Sequence, residues 1–183
     1  MDAQRLAQRH KDIAPGRKLV TVVRGDDETG RISACVLPRG KVRTLASWDD
    51  GLSREWASVR ATAGTWVLVE RGYGDQYGGM SRSLTRVDVR EGRRLVLSGY
   101  GCLTDFGHNC PDGTDFGEFV LAASGAGAYE RSDLASATTA LMAFAPAGAM
   151  TRLADGPVDE LRIAGEQITW TQGGVAHAAP LPR

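Results

Sequence analysis

Ser58–Gly101 reads SVRATAGTWVLVERGYGDQYGGMSRSLTRVDVREGRRLVLSGYG. Its apolar and β-branched residues fall into four short runs, Ser58–Thr62, Trp66–Arg71, Leu84–Val89 and Arg93–Ser98. Val, Thr, Leu and aromatic residues in runs of this length favour strands. Ala63-Gly64 and Glu91-Gly92 supply tight turns, because Gly accepts positive φ, and a Gly/Tyr-rich loop separates the middle pair. Four antiparallel strands joined in this way form a meander, the unit of a propeller blade.

The same layout recurs outward from this stretch. Toward the C-terminus, Glu118–Ala122 and Ala126–Arg131 flank Ala123-Ser124-Gly125, and Ala140–Phe144 and Ala149–Leu153 flank Pro146-Ala147-Gly148. Glu160–Ile163, Gln167–Thr171 and Val175–Ala179 then alternate with the turns Ala164-Gly165 and Gly173-Gly174. Toward the N-terminus, Lys18–Arg24, Arg31–Leu37 and Lys41–Ser47 are separated by GDDETG and PRG. SVRATAGTWVLVER, EFVLAASGAGAYER and ELRIAGEQITWTQ share one plan of strand, small-residue turn and aromatic-bearing strand. A single meander cannot bury its apolar face alone, so stacked copies must supply the core. The expected fold is therefore all-β, built of antiparallel four-stranded meander repeats and β-propeller-like, with about three and a half blades per chain; a β-sandwich is the alternative. Residues 1–17 read as an N-terminal tail with a short helical turn ended by Pro15-Gly16, and residues 18–183 as the repeat domain.

Bulk properties narrow the function. The 183 residues hold 22 Lys+Arg and 22 Asp+Glu, for a formal net charge of +0, which argues against nucleic acid as a partner. No apolar run is long enough to span a membrane, and the polar N-terminus, MDAQRLAQRHKDIAPG, has no signal-peptide core.

The repeats resemble blades of TolB-type or WD40-like β-propeller proteins of actinobacterial exported type. The matching segments are TWVLVERGYGDQYGG with SLTRVDVREGRR, GYGCLTDFGHNCPDGTDFGEFVLAASGAGAYE, and GPVDELRIAGEQITWTQGGVAHAAPL. The resemblance covers roughly Leu19 to Leu181 and implies rings of six to eight blades, more than one chain supplies. A homodimer completing one ring is the implied assembly, because closure protects strand edges.

Several groups are candidates for chemistry. Tyr73, Asp75, Tyr77 and Tyr100 are candidate ligand-binding residues in and near the Gly-rich loop, since Tyr offers rigid amphipathic contact area. The broken glycine pattern of that loop, with no helix after it, does not fit a dinucleotide site. Asp112, Asp115 and Glu118 are oxygen ligands at short spacing that suit Ca²⁺, although Asp-Gly turns explain the same residues. No other cofactor is expected. Cys102 and Cys110, with seven residues between them, suit a disulfide that limits the unfolded chain. That bond implies a secreted or cell-surface protein, and its absence a cytoplasmic one. Cys35 reads as a buried free thiol, Asp88 as a structural acceptor of backbone hydrogen bonds, and Trp48 and Trp56 as apolar plugs between sheets.

The leading functional expectation is a non-catalytic binding or protein-interaction module. One alternative is a hydrolase or lyase using Asp105, Asp112, Asp115 and His108 near the Cys102–Cys110 loop. A structural subunit of a surface assembly is another.

Overall fold

Glycine-punctuated alternation produces fifteen strands in the computed structural model, which describes residues 5–14, 17–25, 29–49, 53–75, 80–102 and 113–183. They form four antiparallel sheets, each in chain order. The first holds β1 (Arg5–Ala14), β2 (Arg17–Gly25), β3 (Thr29–Leu37) and β4 (Arg43–Asp49). The second holds β5 (Ser53–Ala63), β6 (Trp66–Asp75), β7 (Met80–Asp88) and β8 (Arg94–Cys102). The third holds β9 (Thr114–Leu121), β10 (Gly127–Asp133), β11 (Thr138–Phe144) and β12 (Met150–Asp155). The fourth has three strands, β13 (Asp159–Ala164), β14 (Gln167–Gln172) and β15 (Val175–Pro180).

Two expectations are corrected here. The propeller-like fold class, with about three and a half blades per chain, gives way to four open meanders of three or four strands, none closed or curled. The physical reason is that a meander states how neighbouring strands connect; small-residue hairpins suit any antiparallel architecture. The expected helical turn before Pro15-Gly16 is instead β1, paired with β2 from Arg5↔Gly25 to Ala14↔Arg17. A Pro-Gly step ends a helix and separates two strands equally well.

The chain divides into two compact units, Met1–Cys110 and Pro111–Arg183. In the first, Leu19, Ile32, Ala34, Leu45 and Ala46 of the first sheet share a core with Val67, Val69, Val87 and Val89 of the β5–β8 region. A register shift between Ile32 and Ser33 allows consecutive Leu45 and Ala46 both to be buried. Arg43 Nε donates to the Val89 carbonyl (2.7 Å) and Arg71 Nη2 to the Ser47 carbonyl (3.1 Å), tying the two sheets at their margins.

In the second unit, Ala128, Leu141 and Ala143 share a core with Val158, Leu161, Ile168 and Trp170. A bulge in β9 opposite Tyr129 and Arg131 puts Phe116 and Phe119 on one face. Both rings reach Tyr129, Phe116 edge-on at 5.8 Å and Phe119 stacked at 6.4 Å. Aromatic pairs in these geometries add to the effect of burial alone. The β9–β10 and β11–β12 hairpins repeat one turn: Gly125 N–H donates to Ala122 O and Gly148 N–H to Ala145 O, each at 2.9 Å.

Candidate functional site

The described part of the Gly/Tyr loop lies in β6 and β7. Tyr73 is on β6, 37% exposed, opposite Glu55 on β5 and Ser81 on β7. Tyr100 is opposite Arg82, and Arg82 is opposite Gly72, so position 100 belongs to the other face of the sheet from Tyr73. Asp75 ends β6 opposite Ser53. Tyr77 lies outside the described residues.

Of the proposed calcium ligands, Asp112 lies outside the described residues. Asp115 and Glu118 are on β9, and each accepts a backbone amide: Asp115 Oδ1 from Phe116 N–H and Glu118 Oε2 from Leu161 N–H, both at 2.8 Å. Among the described residues no three His, Cys, Asp or Glu side chains gather to hold a metal. Cys110, Asp105 and His108 lie outside the described residues, and the backbone of Cys102 ends β8 opposite Met80. No disulfide joins described residues, and the disulfide expectation rests on Cys110, which is not among them. Cys35 is a free thiol, half-buried rather than buried. Asp88 takes the expected structural role: its Oδ1 accepts Arg90 N–H at 2.9 Å and Glu91 N–H at 3.4 Å in the β7–β8 turn.

Trp48 packs against the core shared by the first two sheets, and Trp48 and Trp56 each lie over a glycine of the adjacent strand. Trp48 is opposite Gly30, Trp56 is opposite Gly72, and a Cβ at either glycine would run into the indole. Beside Trp56, the Arg82 guanidinium sits 5.5 Å from the ring centroid, and Arg86 sits 4.6 Å from that of Trp66. Glu70, with its side chain 3% exposed, faces Arg60 at 3.3 Å and Arg82 at 3.7 Å. Burial lowers the pKa of Arg86, and the Asp88 carboxylate opposes that shift.

The site that sequence reading missed is a cleft of about 940 Å³ in the first unit. Along β2, Val20, Val22 and Arg24 point to one face; opposite them on β3 are Cys35, Ser33 and Arg31. All six line the cleft, as do Trp48, Asp49, Glu55 and Arg71. Arg24 is directly opposite Arg31. Ser47 follows opposite Arg31 on β4, and its carbonyl receives Arg71. Three guanidinium-bearing residues thus border one concave surface, with hydroxyls from Thr29 and Ser33 and two carboxylates at one end. Its volume falls in the range of small-molecule sites, about 300–1,000 Å³. A signal was available in RGDDETGR, Arg24–Arg31, where a hairpin centred on the acidic turn sets the two arginines opposite each other.

Among the described residues, no helix is long and apolar enough to cross a membrane. No protein-family model, curated protein or solved structure matches the chain. The resemblance to TolB-type and WD40-like propellers is thereby corrected: no family model or solved structure supports it, and the segments that suggested it are strand–turn–strand modules common to antiparallel sheets.

Proposed function

We propose that this protein is a non-catalytic binding module and that the β2–β4 cleft takes a small anionic ligand. The observation that carries the reading is Arg24 directly opposite Arg31 on the cleft wall. Cross-strand side chains at such positions have Cβ atoms about 4.5–5.5 Å apart, and like charges there are destabilising. An anion between them removes the repulsion and forms charge-assisted hydrogen bonds with planar guanidinium forks. Arg71 extends the basic wall, Thr29 and Ser33 add hydroxyls, and Trp48 adds an aromatic surface. Tyr73 continues the same region through its partner Glu55.

The test is titration of ¹⁵N-labelled protein with pyrophosphate and with citrate at low ionic strength. Saturable shifts of the Ser33 and Cys35 amides are expected, weakened at least tenfold by Arg31→Gln and by Arg24→Gln. Arg24→Gln should also stabilise the ligand-free protein by about 0.2–1 kcal/mol by relieving the like-charge pair. No shift at millimolar anion, or shifts indifferent to both substitutions, would overturn the reading.

A further inference from the structure

Among the described residues the fourth sheet has three strands, where each of the others has four. Its last strand, β15, pairs with β14 alone among the described residues. Every other edge strand of the four sheets carries charge, as Arg43 on β4, Arg94 on β8, Arg152 and Asp155 on β12, and Asp159 and Arg162 on β13 illustrate. Edge charges of this kind discourage strand addition. β15, VAHAAP, has no Asp, Glu, Lys or Arg. Val175, Ala176, His177 and Ala178 are all exposed, Val175 at 59%.

The hairpin fixes which backbone groups of β15 face outward. Gly173 and Gly174 have φ of 57° and 80°, the two positive values of a type I′ turn. In that hairpin the flanking pair Gln172↔Val175 exchanges hydrogen bonds, and alternation makes Trp170↔His177 and Ile168↔Ala179 the next bonded pairs. The amide and carbonyl groups of Ala176 and Ala178 therefore point away from β14. Pro180, which has no N–H, closes the edge at its C-terminal end.

We propose that the β15 edge is a self-association surface and that its occupant is β15 of a second copy, antiparallel, about a two-fold axis at His177. The pattern is self-complementary: Ala176 meets Ala178 of the copy and Ala178 meets Ala176, each pair exchanging both bonds. His177 then faces His177 of the copy in the non-bonded position between them. His177 is already stacked on Trp170, centroids 5.5 Å apart and planes 15° from parallel, so the two-fold extends that aromatic row across the joint. Ala176 and Ala178 bring no bulk and no charge to oppose the approach. Another protein's extended segment could satisfy the same backbone groups, but it lacks this internal symmetry argument.

Light scattering on the full chain from 1 to 200 µM is the test. The expected mass at the upper end is twice the 19.5 kDa of one chain. Ala176→Pro and Ala178→Pro each delete an outward N–H while leaving the bonded pairs to β14, so both should return the protein to monomer with an unchanged circular dichroism spectrum. A monomer at every concentration, or a dimer that survives both folded proline variants, overturns the proposal. Should proline unfold the strand, His177→Cys decides the question. Facing non-bonded residues have Cα atoms about 4.5 Å apart, within disulfide reach. Oxidation should cross-link His177→Cys into a reducible dimer above the wild-type background, and Thr151→Cys on the β12 edge should not. Equal yields at the two positions, or none at 177, overturn it.

Discussion

Gly72→Ala tests the Trp–Gly arrangement of the second sheet and the charges that depend on it. Gly72 is buried opposite Trp56, and an added methyl would collide with the Cε2 and Nε1 atoms of the indole. The ring must move away. Overpacking of this kind costs about 1–3 kcal/mol. Moving the ring also removes the contact with the Arg82 guanidinium, now 5.5 Å from its centroid, for a further ~0.5–2 kcal/mol. Against these, replacing Gly with Ala restricts the unfolded chain and returns about 0.4–1 kcal/mol. The balance is a net destabilisation of about 2 kcal/mol. Amide hydrogen exchange of Val67, Val69 and Leu84, all at most 1% exposed, reads the opening free energy of this sheet directly. The decisive form is a double-mutant cycle with Trp56→Ala. Without the indole the alanine methyl has room, so Gly72→Ala should become neutral or stabilising by about 0.4–1 kcal/mol. If Gly72→Ala costs the same with and without Trp56, the indole is not what the glycine accommodates, and the reasoning fails.

Glu70→Ala removes a carboxylate whose side chain is 3% exposed and faces Arg60 and Arg82. Breaking a buried pair costs about 3–5 kcal/mol, but both arginines are about a third exposed and water screens them, so a loss of about 2–4 kcal/mol is expected in the same exchange measurement; a change under 0.5 kcal/mol would contradict it. Asp133 accepts Ser136 N–H in the β10–β11 turn, and that bond lowers its pKa below the ordinary carboxylate value. A depressed folded value contributes stability that is complete above the unfolded pKa of about 3.9 and disappears as pH falls through the folded one. Exchange protection of the β10–β11 hairpin should therefore differ between wild type and Asp133→Asn at pH 6 and converge toward pH 2; a gap that widens in acid would refute the assignment.

Local structure was legible where a strand ended at glycine. Lys18–Arg24 falls inside β2, Gln167–Thr171 inside β14 and Val175–Ala179 inside β15, because alternation and turn glycines are read from neighbouring residues alone. β1 was missed because RLAQRHKDIA lacks β-branched residues except Ile13, and only pairing with KLVTVVR makes it a strand. How sheets associate was not legible either. Apolar alternation shows that a face is buried without naming the face it meets, and the extra bulge residues of β4, β5, β8 and β9 reverse that alternation partway along each strand. The Arg24–Arg31 pair needed only the hairpin register, but its meaning depended on Trp48, Asp49 and Arg71 arriving from β4 and β6 to make a concavity.

Carboxylates show most clearly why residue type and spacing underdetermine function. Glu118 was read as a cation ligand because it follows two aspartates at short spacing. Its structural task originates more than forty residues away, in an irregular strand start. Glu160 has a φ of 54°, and the register of β13 against β14 shifts between Asp159 and Arg162. A strand entering its sheet in this way turns amides out of the regular ladder, and a buried amide must find another acceptor. Leu161 N–H finds Glu118 Oε2 at 2.8 Å, and Val158 N–H finds Glu130 Oε1 at 3.3 Å. Gly117 is the third part of this device, since a Cβ there would collide with the Glu130 carboxylate. The β9 bulge that brings Phe116 and Phe119 onto Tyr129 spans the same residues, so aromatic packing and amide capture are set by one local irregularity. Charge-assisted acceptance of a backbone N–H needs the same exposed oxygen atoms as metal binding. Only the position of the amide distinguishes the two roles, and that position is a property of the folded sheet pair.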